Sequence, residues 1–201
     1  MTALLLVLLI VVLVVAGVAL FLTVRKKNEP AAAPGPVDPF ADKDSDALRG
    51  DPRTLKAGDI VDIFGETYTV RGSLRLKEGG YQWSEHLLDT ARGTRRWLSV
   101  EEDPDLELVL WTETPGVPAA GGTEIEHDGK TFRLDESGRA QYVSEATTGL
   151  TPSGSVAYHD YVAADDTRLS FEDFGESGKK EAAVGQVLHR SAIMIYPQSP
   201  N

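Results

Sequence analysis

Cysteine is absent from the 201-residue chain, which rules out a disulfide framework and thiolate metal sites. Basic residues are few beside acidic ones, 20 against 31, for a formal net charge of −11. Such a surface repels nucleic-acid phosphates and anionic headgroups, so no nucleic-acid partner is expected. The four histidines (His86, His127, His159 and His189) show no metal-ligand spacing. Ser99 and Ser170 lack the Gly-x-Ser-x-Gly setting of a nucleophile elbow. No Asp-x-Asp-x-Asp-Gly calcium loop and no phosphate-cradling glycine loop occurs, and Gly79-Gly80 and Gly121-Gly122 read as turns. Helical periodicity is not sustained anywhere beyond residue 55. No catalytic residue, metal site or cofactor is assigned on these grounds.

What is present begins with an uncharged run. Residues 3–24 carry no charge, and Thr23 is their only hydroxyl. As a helix they extend roughly 33 Å, enough to cross a hydrocarbon core of about 30 Å. A cleaved signal peptide calls for basic residues ahead of a shorter run, and none precede this one. Residues 1–27 are therefore expected to be a single-pass membrane anchor. Arg25, Lys26 and Lys27 flank the span and favour the cytoplasmic side, placing the N-terminus outside and the remainder in the cytoplasm. Residues 28–54 contain Pro30, Pro34, Pro36, Pro39 and Pro52 with few apolar residues, the composition of a flexible tether.

From residue 55 onward short alternating runs are separated by glycine and aspartate. Ile60-Val61-Asp62-Ile63, Tyr68-Thr69-Val70, Leu74-Arg75-Leu76, 106–111 and 191–196 read as strands. Asp128-Gly129 between 123–127 and 130–134 is a two-residue hairpin signal. Three passages recur in order. Gly65-Glu66-Thr67-Tyr68-Thr69-Val70 parallels Gly129-Lys130-Thr131-Phe132-Arg133-Leu134, and Trp83-Ser84-Glu85-His86-Leu87 parallels Tyr158-His159-Asp160-Tyr161-Val162. Leu98-Ser99-Val100-Glu101-Glu102 parallels Leu169-Ser170-Phe171-Glu172-Asp173. The expected fold is mainly β: a duplicated antiparallel β domain, barrel or sandwich, after one N-terminal transmembrane helix. Its halves span 55–113 and 122–197, joined by a linker at 114–121. Each half alone is too small for a sizeable core, so the two are expected to complete one structure, with two small barrels as the alternative.

Four passages also carry a family resemblance: Leu55-Lys56-Ala57-Gly58-Asp59, Gly65-Glu66-Thr67-Tyr68-Thr69-Val70, Trp83-Ser84-Glu85-His86-Leu87-Leu88 and Trp97-Leu98-Ser99-Val100-Glu101. In these the chain resembles the bacterial family of the domain of unknown function DUF4178, whose members often have Tyr where His86 stands. The resemblance implies a β-rich domain and supplies no catalytic residues. Some relatives look linked to membrane-stress systems of the phage-shock type, which suits a tethered cytoplasmic domain.

Strand alternation puts Tyr81, Trp83, Glu85 and Leu87 on one face, and Tyr158, Asp160 and Val162 repeat the order aromatic, acid, aliphatic. An acid among apolar neighbours is either paired or shifted in pKa. On one reading Glu85 and Asp160 converge, binding a cation or doing acid–base work with Tyr158 or His159 assisting. On the other, each is a structural acceptor of backbone N–H groups or of Arg95 or Arg96. Glu101 and Glu172 recur two residues after Ser99 and Ser170, where solvated strand ends are ordinary, and Asp165-Asp166 reads as a solvated loop cluster. Trp83, Trp97 and Trp111 suit a core or a grip on a partner. The candidate binding residues are Trp83, Glu85, Glu101, Tyr158, Asp160 and Glu172. The expected function is a non-catalytic, membrane-tethered binding or scaffold module on the cytoplasmic face, with a protein partner. The alternatives are a carboxylate-based enzyme or cation-binding protein using Glu85 and Asp160, and an extracytoplasmic ligand-binding domain.

Overall fold

The computed structural model describes residues 48–90, 92–117 and 120–199. The apolar span, its basic flank and most of the tether lie outside the described residues, as does part of the 114–121 linker. Among the described residues no helix is long and apolar enough to cross a membrane. Strands dominate: β1 (Ile60–Ile63), β2 (Glu66–Glu78), β3 (Tyr81–Asp89), β4 (Arg95–Glu102) and β5 (Leu106–Glu113) come first. Then follow β6 (Glu124–His127), β7 (Lys130–Ala146), β8 (Ser153–Ala163), β9 (Arg168–Phe174), β10 (Lys179–Val187) and β11 (Ile193–Tyr196).

The strands hydrogen-bond in the order β11-β1-β2-β3-β4-β5-β10-β9-β8-β7-β6, and β2 also pairs with β7. That extra pairing closes β2-β3-β4-β5-β10-β9-β8-β7 into an antiparallel barrel of eight strands. Closure removes exposed strand edges from the barrel itself. β1 and β11 extend from β2, and β6 extends from β7.

Local chemistry accounts for the two short hairpins. Asp128 and Gly129 both have positive φ, 48° and 73°, as do Phe64 and Gly65 at 52° and 81°. Two consecutive left-handed residues twist a two-residue loop the way the flanking strands need. The Asp62 carboxylate accepts the Gly65 N–H at 2.9 Å and braces the first turn. Downstream, β2 bulges between Val70 and Gly72 and β7 between Leu134 and Glu136. Each bulge falls where the strand leaves its hairpin partner and enters the barrel, and bulges supply the bend this requires. Gly72 sits where β2 meets β7, and a Cβ there would lie 2.7 Å from the Thr147 carbonyl.

Apolar residues form three clusters. One joins Val61, Ile63, Tyr68, Ile193 and Ile195 to Leu88, Leu98, Val100, Leu108 and Leu110. The β1–β2 hairpin and β11 thus cover one face of β3–β5. A second joins Ile125 and Phe132 to Tyr161, Ala163 and Leu169, so the β6–β7 hairpin covers β8–β9 in the same manner. The third comprises Leu74, Leu76, Ala140, Tyr142, Val156 and Phe174, with Trp83 and Trp97 against it.

Several elements differ from the sequence expectation. Residues 51–54, counted with the tether, include a 3-10 turn at Pro52–Thr54 with Pro52 buried and Arg53 bonded to both carboxylate oxygens of Glu102 at 2.7 and 2.8 Å. Burial and that ion pair carry the folded part ahead of residue 55. The segment 191–196 divides into a 3-10 turn at Arg190–Ala192 and β11. β10 carried no strand signal, and β7 runs well past Leu134, where the hairpin was expected to end.

An acidic aromatic cavity inside the barrel

Barrel strands alternate between the covered outer face and the interior. The interior is not filled: a cavity of about 590 Å³ opens there. Trp83 and Glu85 reach it from β3, Glu101 from β4, Tyr158 and Asp160 from β8, and Glu172 from β9. All six candidate binding residues therefore line one cavity. Trp97 and Trp111 join them, so none of the three tryptophans is confined to the packed core.

Aromatic groups orient the acids. The Trp83 indole N–H donates to Glu85 Oε1 at 3.2 Å. Its ring meets Tyr158 edge to face, with centroids 5.9 Å apart and planes inclined at 73°. The Tyr158 hydroxyl donates to Glu78 Oε2 at 2.6 Å and lies 3.2 Å from Glu136 Oε1. Gly138 makes room for this contact, since a Cβ there would fall 2.5 Å from the Glu78 carboxylate and 2.7 Å from the Tyr158 oxygen. Across the barrel Trp97 and Trp111 are cross-strand neighbours, and the Trp111 N–H donates to Ser99 Oγ at 2.9 Å. Gly185 faces Trp111, leaving space that a Cβ, 2.6 Å from the indole, would take.

The register sets like charges opposite each other three times, Glu101 against Glu107 on β4–β5, Glu172 against Glu181 on β9–β10 and Glu136 against Asp160 on β7–β8. Directly opposed like charges destabilise a strand pair. In the first two pairs one member has a cation: Arg168 donates to Glu107 at 2.9 Å, and Lys179 forms an ion pair with Glu181. Glu101 and Glu172 make no ion pair among the described residues.

Confinement raises the proton affinity of these carboxyls. Burial, with Asp160 and Glu181 nearby, pushes Glu85 up to about 7 against the partial relief of the Trp83 hydrogen bond. Burial pushes Asp160 up to about 6, with Glu136, Glu101 and Asp135 adding to it and a Ser170 hydrogen bond opposing. Glu172 is raised well above the usual carboxylate range by burial and by Glu85, Glu181 and Asp160. Glu101 is raised by burial and by Glu107, Glu136 and Asp103. Tyr158 is also raised, first by burial and then by its bond to Glu78.

Other expectations are relocated. Arg96 donates to Thr112 instead of bracing Glu85, whose carboxylate is held by the Trp83 indole. Glu172 is half-buried and faces the cavity, whereas Glu101 also lines the cavity but stays exposed next to the end of β4. Asp165 pairs with Lys130 at 2.9 Å in the β8–β9 turn, away from the cavity. His159 alternates to the face opposite Tyr158 and Asp160, which removes it as their assistant. His86 is fully buried, with Ser73 Oγ 2.8 Å from Nδ1 and Ser84 Oγ 3.1 Å from Nε2, and burial pushes its pKa down to about 3. Among the described residues no group of three His, Asp or Glu side chains is arranged to hold a metal ion.

Sequence reasoning missed Glu78, Glu107, Glu136, Glu181 and Arg168 as cavity residues. Glu107, Val109 and Trp111 alternate along β5 as Trp83 and Glu85 do along β3, and that pattern was a readable signal. Glu181 had none, because its strand was invisible.

A family model described as Domain of unknown function (DUF4178) matches residues 56–190. Uncharacterized proteins of Mycobacterium bovis (Mb2628) and Mycobacterium tuberculosis (Rv2597) are each 36% identical to the chain over 204 residues, spanning 98% of it and 97% of the relative. No solved structure matches. The matched span takes in every barrel strand and all six candidate residues, and the chain belongs to the DUF4178 family.

Proposed function

We propose that the barrel is a non-catalytic binding module whose cavity takes a small organic cation. The observation that carries this reading is the pair of uncompensated carboxylates, Glu101 and Glu172, facing a space walled by Trp83, Trp97, Trp111 and Tyr158. Carboxylates neutralise an ammonium group, and ring faces attract its positive hydrogens. Eight-stranded barrels have room for one small ligand, and a cavity of about 590 Å³ is of ordinary ligand size. Calorimetry of the full-length chain in nonionic detergent tests it, using n-butylamine, 1,4-diaminobutane and neutral 1-butanol. Saturable one-to-one heat from at least one amine and none from the alcohol is expected. No heat from either amine overturns the reading.

The module works beside a membrane on this view. The uncharged run at 3–24 supports anchoring, and Arg25-Lys26-Lys27 supports a cytoplasmic barrel. Alignment with the mycobacterial relatives reaches into that N-terminal segment. A reporter active only in the cytosol, fused after Asn201, should be active; activity of a periplasm-specific reporter instead would reverse the orientation. We also read β1–β5 and β6–β10 as two copies of one unit. The matched hairpins, bulges and opposed carboxylate pairs support that history.

A further inference from the structure

Two tiers of carboxylates divide the cavity. Glu85 lies opposite Ser99 on β4, and Glu101 is one two-residue step further along that strand. Asp160 lies opposite Ser170 on β9, and Glu172 is likewise one step on. Glu172 feels Glu85 before it feels Asp160, Asp160 feels Glu101, and Glu85 also feels Asp160 across the step. One tier is therefore Glu85 with Glu172, the other Asp160 with Glu101. A two-residue step is about 7 Å along a strand. Trp83, cross-bonded to Glu85, and Tyr158, cross-strand to Glu172 and next in alternation to Asp160, supply the aromatic wall between them.

The tiers are also equivalents. Glu85 and Asp160 occupy matching positions on β3 and β8, as Glu101 and Glu172 do on β4 and β9. Exchanging the halves exchanges the tiers. Glu172 is half-buried, faces the cavity and accepts no hydrogen bond from another side chain or backbone group among the described residues.

We infer that the occupant is a linear amine with two protonated nitrogens separated by a short hydrocarbon, one ammonium at the Glu85–Glu172 tier and the other at the Asp160–Glu101 tier. This rests on the cation reading above and makes it specific. The methylene spacer lies against Trp83 and Tyr158, where an apolar chain is welcome, while each ammonium supplies a compensating charge to acids that make no ion pair among the described residues. A gap of about 7 Å suits a spacer of roughly four to six carbons. Ends of equal charge suit a cavity whose ends are built alike.

The test is a calorimetric series on the full-length chain in nonionic detergent at fixed ionic strength. Diamines from 1,2-diaminoethane to 1,8-diaminooctane are compared with n-butylamine. Affinity should peak at intermediate length and exceed that of n-butylamine by about tenfold or more, the worth of one added charge-assisted contact. Glu172→Gln and Asp160→Asn should each erase that advantage, whereas Glu126→Gln, on the edge strand β6, should keep it. Thermal melts check that each variant is folded. Equal affinity of n-butylamine and every diamine overturns the two-tier inference and leaves the cation reading standing. Absence of heat from all amines overturns both. Non-stoichiometric heat that persists in Glu172→Gln and Asp160→Asn assigns the binding to surface charge and also overturns both.

Discussion

Glu85→Gln should stabilise the barrel in alkaline solution and do little in acid. Glu85 has its pKa raised from 4.5 to about 7, chiefly by burial and by Asp160 and Glu181. Between those values the folded chain keeps a proton that the unfolded chain has released. Stability from this group is therefore complete below pH 4.5 and is lost as pH rises towards 7. Above that window the folded state carries a charge it would bind better protonated, at a cost of about 3 kcal/mol. Glutamine carries no charge, and its carbonyl can still accept the Trp83 N–H, so most of that cost should disappear. For a domain of this size about 1 kcal/mol moves Tm by roughly 2–4 °C. Glu85→Gln should then raise Tm by up to about 10 °C near pH 8, with Glu172 limiting the gain as it relaxes towards its own charged form. Near pH 4 the two proteins should melt within about 1 °C of each other. Thermal scans by far-ultraviolet circular dichroism on both proteins provide the measurement. A lower Tm at alkaline pH, or the same gain at both, would show that the Glu85 carboxylate is not strained by confinement.

Three further substitutions probe the packing around the cavity. Gly138→Ala places a methyl group against Glu78 and the Tyr158 hydroxyl, and should cost about 1–3 kcal/mol in urea unfolding as that hydrogen bond is pushed apart; unchanged stability would mean the contact gives way freely. Gly185→Ala should displace the Trp111 indole from β10 and break its bond to Ser99, seen as a shift in tryptophan emission together with a lower Tm. Emission identical to the parent would mean that the ring does not depend on the glycine. Ser73→Ala leaves Nδ1 of the fully buried His86 without its partner and should cost about 1–3 kcal/mol. His86 also predicts an opposing pH trend: its pKa, depressed from 6.5 to about 3, contributes stability above pH 6.5 that is lost as pH falls towards 3.

How much of this was legible depended on whether the signal was local. The Asp128-Gly129 hairpin and the shared face of Trp83 and Glu85 could be read because turn chemistry and two-residue alternation operate within a few residues. β10 could not: Lys179-Lys180-Glu181-Ala182-Ala183-Val184-Gly185 has a single β-branched residue and begins charged. It is a strand because β5 and β9 pair with it on both sides, a context absent from its own sequence. Past Leu134 the local signal fails, since Asp135-Glu136-Ser137-Gly138 has the composition of a turn, whereas the bulge carries β7 through it and β8 holds it extended. Alternation also left undecided which face of each strand turns inward. An isolated barrel would place its apolar face inside. Here the β1–β2 and β6–β7 hairpins lie over the outer faces and bury Leu98, Leu108, Tyr161 and Leu169 there. The apolar stripe of each half is already covered from outside, which frees part of the inward stripe to carry acids beside the smaller apolar cluster of Leu74, Leu76, Tyr142 and Phe174. Removing a hairpin contact, for instance by Phe132→Ala, should therefore destabilise the chain by about 3–5 kcal/mol, the scale of a buried aromatic deletion, even though that ring belongs to an outer layer and lies apart from the cavity lining. A loss below about 1 kcal/mol in urea unfolding would place the main stabilising core inside the barrel and undo this account of why its interior can carry charge.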